Sequence, residues 1–249
     1  MGELTKLEIP QVVLENISNP LPAPPPETWE QKKERRKQER TQWLKDAGVE
    51  NRHIYACFAD YESSPGSKQA KVKDELYKLA TGGMIYAEKA EAPRKNVILM
   101  CGYSGTGKTH LAVAIMREIL RRVQSGKALW MAPSQVKYIN LAKEYSRYLA
   151  LQSVEERAEY LHRLMTTWFL VIDEVEKIKD TEGGRDFRAR LLEHAYDSML
   201  PRIIISNLSP ASETGENELK AELGDWLYDR LRECAKYYAF DWDSYRGQK

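Results

Sequence analysis

The sequence predicts an α/β chain in which a parallel sheet is flanked by helices. Three observations carry that prediction. Short, mostly apolar runs at Asn96–Met100, Trp168–Ile172 and Arg202–Ser206 alternate with longer segments of helical periodicity. The runs are too continuous for strands with one wet face and fit strands covered on both. The first is followed by a glycine-rich loop that opens a helix, and the second ends in two adjacent acids, Asp173 and Glu174.

In chain order, residues 1–26 read as a flexible leader. Its first ten residues, MGELTKLEIP, lack the basic and apolar regions of a secretory signal, and Lys6 stands where a myristoylation motif needs Ser or Thr. Pro20 to Pro26 (PLPAPPP) excludes helix and inner strand, because proline lacks an amide donor and fixes φ. Residues 27–57 read as a helical arm. Glu27 to Lys45 is rich in helix formers, Trp29 and Trp43 lie near its ends, and Gly48 follows as a C-cap. Either this is a solvated basic helix or, with so little apolar face, an arm that docks on a partner.

Residues 58–249 read as the globular domain. Lys68–Leu79 is helical and stopped by Gly82-Gly83. Asn96–Met100 is a strand, and Thr109–Val123 a helix with Leu111, Ile115, Ile119 and Val123 on one face. A strand at Ala128–Met131, a helix at Ser134–Leu149 and a helix at Val154–Leu164 are expected next. Strand Trp168–Ile172, helix Arg185–Met199 and strand Arg202–Ser206 complete the alternation.

Charge excludes one class of function. Lys plus Arg number 38 against 37 Asp plus Glu, a net of +1, so the chain is not a uniformly basic nucleic-acid coat. Positive charge is local, as in the arm. No apolar run approaches the roughly 18–20 residues that span a bilayer. The cysteines (57, 101, 234) are far apart, which disfavours disulfides and a thiolate metal site and fits a reducing cytoplasm.

Gly102-Tyr103-Ser104-Gly105-Thr106-Gly107-Lys108-Thr109 matches G-x-x-x-x-G-K-[ST], between an apolar strand and an amphipathic helix. Glycines let backbone amides point inward around a polyphosphate, and the helix N-terminus adds positive potential. Lys108 then reaches the β- and γ-phosphates, and the Thr109 hydroxyl ligates Mg²⁺. His110 follows the loop. Asp173, at the carboxyl end of its strand, would orient Mg²⁺ and its water, with Glu174 as general base. Asn207, after Ile203-Ile204-Ile205-Ser206, is placed to sense the γ-phosphate or hold the attacking water. These residues imply ATP and Mg²⁺ as cofactors.

Several segments resemble one family. GTGKTHLA (105–112), VIDE (171–174), ISN (205–207) and WLYDRLR (226–232) look like the AAA+ P-loop NTPases of the DnaC/IstB group. FDWDSYR (240–246) is similar to the end of DnaC-type replicative helicase loaders. The likeness runs from about Trp43 to the C-terminus. It implies an ATPase that self-assembles into a ring or spiral, with Arg230 as the arginine finger and Arg246 as a second sensor. Phe58 and Tyr61 fall where the family contacts adenine. The YDSM stretch (196–199) departs from the family by lacking an arginine after the acid, which puts an interface role there in doubt.

The resemblance also implies DNA contacts after the second strand, where Lys137, Tyr138, Lys143, Tyr145, Arg147 and Tyr148 interleave cations and aromatics. That pattern suits single strands, although tyrosines in a core with solvated charges would read the same way. Arg185, Phe187 and Arg188 form a second such cluster. The implied function is a cytoplasmic, ATP-dependent loader that binds a hexameric replicative helicase and delivers it onto single-stranded DNA. The alternative is an IstB-like transposition helper that assembles on duplex DNA and recruits a transposase.

Overall fold

A computed structural model of the chain describes residues 26–82, 95–128, 131–209 and 217–245. The proline-rich leader, except Pro26, and Arg246 lie outside them. Five strands form one sheet: β1 (Val97–Gly102), β2 (Val136–Asn140), β3 (Phe169–Asp173), β4 (Arg202–Ser206) and β5 (Ala235–Phe240). Their order is β2-β3-β4-β1-β5 and every pairing is parallel.

The helices are α1 (Trp29–Asp46), α2 (Lys68–Gly82), α3 (Lys108–Gln124), α4 (Leu141–Leu149), α5 (Val154–Thr166), α6 (Glu182–Asp197), α7 (Glu218–Leu223) and α8 (Asp225–Cys234). Two apolar clusters cover the two faces of the sheet. One joins Ile98, Met100, Val171 and Ile203 to α2 and α3; the other joins Leu99, Leu170, Ile172 and Ile204 to α4, α6 and α8. Alternate residues of each strand therefore serve opposite cores, which is why the runs read as continuously apolar. No helix among the described residues is long and apolar enough to cross a membrane.

Two sequence expectations need correction. The second strand is Val136–Asn140, within the stretch expected to be helical, and helix begins only at Leu141. Ala128 is in a turn, Met131 is in no regular element, and residues 129–130 are not described. Val136 and Ile139 are β-branched, and each residue of the strand pairs in register with β3, from Val136↔Phe169 to Asn140↔Asp173. Pairing and burial outweigh the helical look of the lysines and tyrosines.

The fifth strand, Ala235–Phe240, was not foreseen; its Lys236 and Tyr237 are not buried and mask a strand signal. Contacts divide the chain into a first unit that ends at Arg36 and a second that starts at Lys37. In the first unit Thr28 and Gln31 cap each other's backbone amides, at 2.8 and 3.2 Å, as a helix start. In the second, Leu44, Ala47, Val49, Ile54 and Ala56 are buried in the core. Gly48 turns the chain there with φ of +98°; an added Cβ would lie 2.6 Å from the Tyr138 carbonyl oxygen.

Candidate active site

The carboxyl ends of β1, β3 and β4 and the start of α3 surround a cleft of about 520 Å³. Its lining includes Ser104, Gly105, Gly107, Lys108, Thr109, His110, Asp173, Glu174 and Asn207, so one site gathers residues from distant segments. This is the edge at which open α/β sheets bind ligands.

The loop between β1 and α3 is shaped by its glycines. Gly102, Gly105 and Gly107 have φ of +129°, +83° and +91°, a region costly to side-chain-bearing residues. A Cβ on Gly102 would lie 2.3 Å from the Phe240 carbonyl oxygen. Lys108 is buried, and its Nζ donates to the Gly102 and Tyr103 carbonyls at 2.7 Å each. That holds the ammonium across the mouth of the loop. His110 is anchored by a 2.9 Å contact between Nε2 and the Cys57 carbonyl oxygen.

The two acids differ in environment. Asp173 is buried, and its Oδ2 accepts from Thr109 Oγ1 at 2.8 Å and from the Tyr138 hydroxyl at 2.6 Å. Burial raises its pKa above the ordinary carboxyl value, although both hydrogen bonds oppose the shift. Glu174 has left-handed backbone geometry, φ 58° and ψ 49°, unusual for a non-glycine residue. Partial burial would raise its pKa, but bonds from Lys177 Nζ at 2.5 Å and Asn140 Nδ2 at 2.6 Å outweigh it and hold the carboxyl below its usual range. It is therefore anionic at neutral pH, as a base must be.

Thr109 and Asp173 fit a magnesium ion: both supply hard oxygens, already adjacent, in a phosphate cleft. Among the described residues no cluster of three or more His, Cys, Asp or Glu could hold a metal by itself. Phosphate and water oxygens would have to complete the shell. Asn207 lies opposite. Its Nδ2 and backbone N–H donate to Glu176 Oε1 at 2.6 and 3.2 Å, and Ser206 Oγ donates to Glu176 Oε2 at 3.0 Å.

Other expected site residues fall elsewhere. Phe58 packs on Tyr77, ring centroids 5.2 Å apart, at the edge of the core; Tyr61 is the aromatic that reaches the cleft. Arg230 is on α8, bonded to Glu193 at 3.0 Å and stacked 3.8 Å over Trp226. Tyr138 is buried against Asp173, and Phe187 is buried against Tyr145 and Tyr148, so neither ring is open to nucleic acid. Their bulk fills the core, the alternative that the pattern left open.

The cations of that region stay on the surface. Lys143 pairs with Glu50 at 2.5 Å, Arg147 with Glu144 at 2.9 Å and Arg185 with Asp180 at 2.5 Å. Lys137 Nζ donates to the Asp46 carbonyl at 3.3 Å. Arg188 is buried on Glu222. Sequence reasoning missed Tyr138 as a cleft residue, and missed Asn140 and Glu176 altogether. A polar residue ending a parallel strand was the available signal for Asn140; Glu176 had none.

Comparison with known proteins agrees with this geometry. The replicative helicase loader DnaC of Escherichia coli strain K12 is 26% identical over 151 residues, 60% of this chain and 56% of its own. The chain thus spans little more than half the length of that relative. The crystal structure of the DnaC helicase loader superposes with a TM-score of 0.59 at 17% identity, covering 76% of this chain and 99% of that one. The replication initiator DnaA bound to AMPPCP and single-stranded DNA gives 0.51 at 16% identity, over 76% and 50%. These likenesses establish an AAA+ P-loop fold. The family model for IstB-like ATP binding protein matches residues 28–249. The chain therefore belongs to the IstB-like ATP binding proteins, within the DnaC/IstB group of AAA+ ATPases.

Proposed function

We propose that the protein is an ATP-driven loader that binds a hexameric replicative helicase and delivers it onto single-stranded DNA. The observation that carries this reading is the similarity to a replicative helicase loader, supported by a cleft that gathers Lys108, Thr109, Asp173, Glu174 and Asn207.

In this reading the inward amides of Gly105–Thr109 and the Lys108 ammonium bind the β- and γ-phosphates. Thr109 and Asp173 hold Mg²⁺, which would neutralise charge on the phosphate oxygens. Glu174 accepts the proton of the attacking water, and Asn140 and Lys177 aim its carboxylate. Asn207, steadied by Glu176, faces the γ-phosphate. Arg230 acts on the cleft of a neighbouring subunit in a ring or spiral. It would exchange Glu193 for developing phosphate charge, which a guanidinium matches bidentately. Lys137, Lys143, Arg147 and Arg185 are the candidates for DNA phosphates, each exchanging a partner within the chain for one on the strand.

The N-terminal turns of α1, with Trp29 exposed and Lys33 stacked on it at 5.3 Å, belong to the proposed helicase-docking arm. Size-exclusion chromatography with the replicative helicase of the same cell tests the assignment. Co-migration in at least one nucleotide state is expected, and its absence with and without ATP would overturn the loader reading. The family match favours a second reading, a transposition helper. ATP-stimulated oligomerisation on duplex in preference to single strands would select it.

A further inference from the structure

The phosphate loop is bracketed by two segments that the catalytic reading does not use, of which Tyr61 and Tyr245 also line the cleft. Tyr61 precedes α2, and Trp242 and Tyr245 follow β5. The Tyr61 hydroxyl and the Trp242 indole N–H both donate to the Thr106 carbonyl, at 3.0 Å each. The Tyr245 backbone N–H donates to the Gly105 carbonyl at 3.0 Å. The two segments also hold each other: the Tyr245 hydroxyl donates to the Glu62 carbonyl at 2.6 Å, and Lys68 pairs with Asp241.

In a planar trans peptide the carbonyl of one residue and the N–H of the next point in opposite directions. Pinning the Gly105 and Thr106 carbonyls outward therefore turns the Thr106 and Gly107 amides inward. These are the amides that an anion-binding nest uses. Left unpinned, glycine-rich peptides can rotate and would lose that orientation to conformational entropy. The other loop contacts do not do this work. Lys108 and the Thr106 hydroxyl bond to the Gly102 and Tyr103 carbonyls, at the other end of the loop.

We propose that Tyr61 and Trp242 are positioning residues for phosphate binding, acting with the Tyr245 backbone to preset the loop amides before nucleotide arrives. Burial of Tyr61 pushes its hydroxyl pKa up, so it stays a donor throughout the neutral range. Its ring also sits where a Cβ on Gly107 would come, 2.5 Å away, which keeps the loop tight against the bracket. The proposal rests on nucleotide binding at this loop and adds residues outside the catalytic set.

The test is calorimetric titration of the full chain with ADP and with inorganic pyrophosphate, which lacks the base. Tyr61→Phe and Trp242→Phe each remove one donor and keep a ring. Each should weaken both ligands about 5-fold, and the double variant about 20-fold. Tyr238→Phe is the control for general destabilisation, because its hydroxyl bonds to Glu75 at 3.3 Å, away from the loop. Pyrophosphate affinity within 2-fold of wild type in both single variants overturns the proposal. So does a loss no greater than the control shows at equal melting temperature. A wild-type chain that binds neither ligand would instead overturn the nucleotide site itself.

Discussion

Gly102–Thr109 and Val136–Tyr148 both carry conspicuous polar patterns, a glycine-lysine loop in one and lysines interleaved with tyrosines in the other. The loop's chemistry rests on backbone amides, and its glycines permit the left-handed geometry they need. In the second segment every role depends on what lies across from each side chain. Tyr138 meets Asp173 and joins the cleft, Tyr145 enters the core beside Phe187, and Lys143 and Arg147 find carboxylates. A backbone motif can thus be read locally, whereas a side-chain pattern cannot.

The comparison can be broken at its strongest point first. Lys108→Ala should abolish measurable ATP binding, because it leaves a buried phosphate cradle without its cation; near-normal affinity in titration would refute the loop's role. Glu174→Gln should retain nucleotide and lose about 100-fold or more in turnover. Normal phosphate release by that variant would remove Glu174 as the base.

Tyr138 sharpens the contrast. Tyr138→Phe deletes one of two donors to Asp173 and should raise the Mg²⁺ concentration for half-maximal ATPase by about 5-fold. Unchanged metal dependence combined with weakened DNA binding would return Tyr138 to the nucleic-acid surface. Asp173→Asn probes the same pair through stability. The raised pKa of Asp173 means that ionisation is penalised in the folded state. The penalty is fully present above the folded value and absent below the unfolded one. The variant should therefore melt higher at pH 7, and the gain should vanish below about pH 4. A gain that persists into acid would assign the effect to something other than charge.

The smallest effects belong to the surface pairs. Lys143→Ala should change unfolding free energy by less than about 1 kcal/mol, since its ammonium is exposed, whereas adding Arg147→Ala should cost more because it strips the buried Glu144 of its cation. If these cations meet phosphates, the pair should lower single-stranded DNA affinity and flatten its salt dependence. A stability loss above 2 kcal/mol with unchanged DNA binding would make them structural.

Much of the architecture was legible. The apolar runs at 96–100, 168–172 and 202–206 announced β1, β3 and β4, because strands buried on both faces keep their polar residues to the ends. Edge strands were not. β2 and β5 flank the sheet, carry Lys137 and Lys236, and show strand character only when paired. The same limit applies to the arm. Its composition looks solvated throughout, but Leu44, Ala47, Val49, Ile54 and Ala56 are buried in the core of the unit that starts at Lys37.

By itself the sequence determined the glycine-lysine loop, the paired acids Asp173 and Glu174 at a strand end and the parallel α/β class, since glycine spacing and apolar continuity act over a few neighbouring residues. Tertiary structure alone decided that Tyr138 supports Asp173, that Asn140 and Lys177 aim Glu174, and that Trp242 reaches Thr106 from 136 residues away. Those contacts join chain segments whose meeting depends on strand order and register, and no local pattern encodes either.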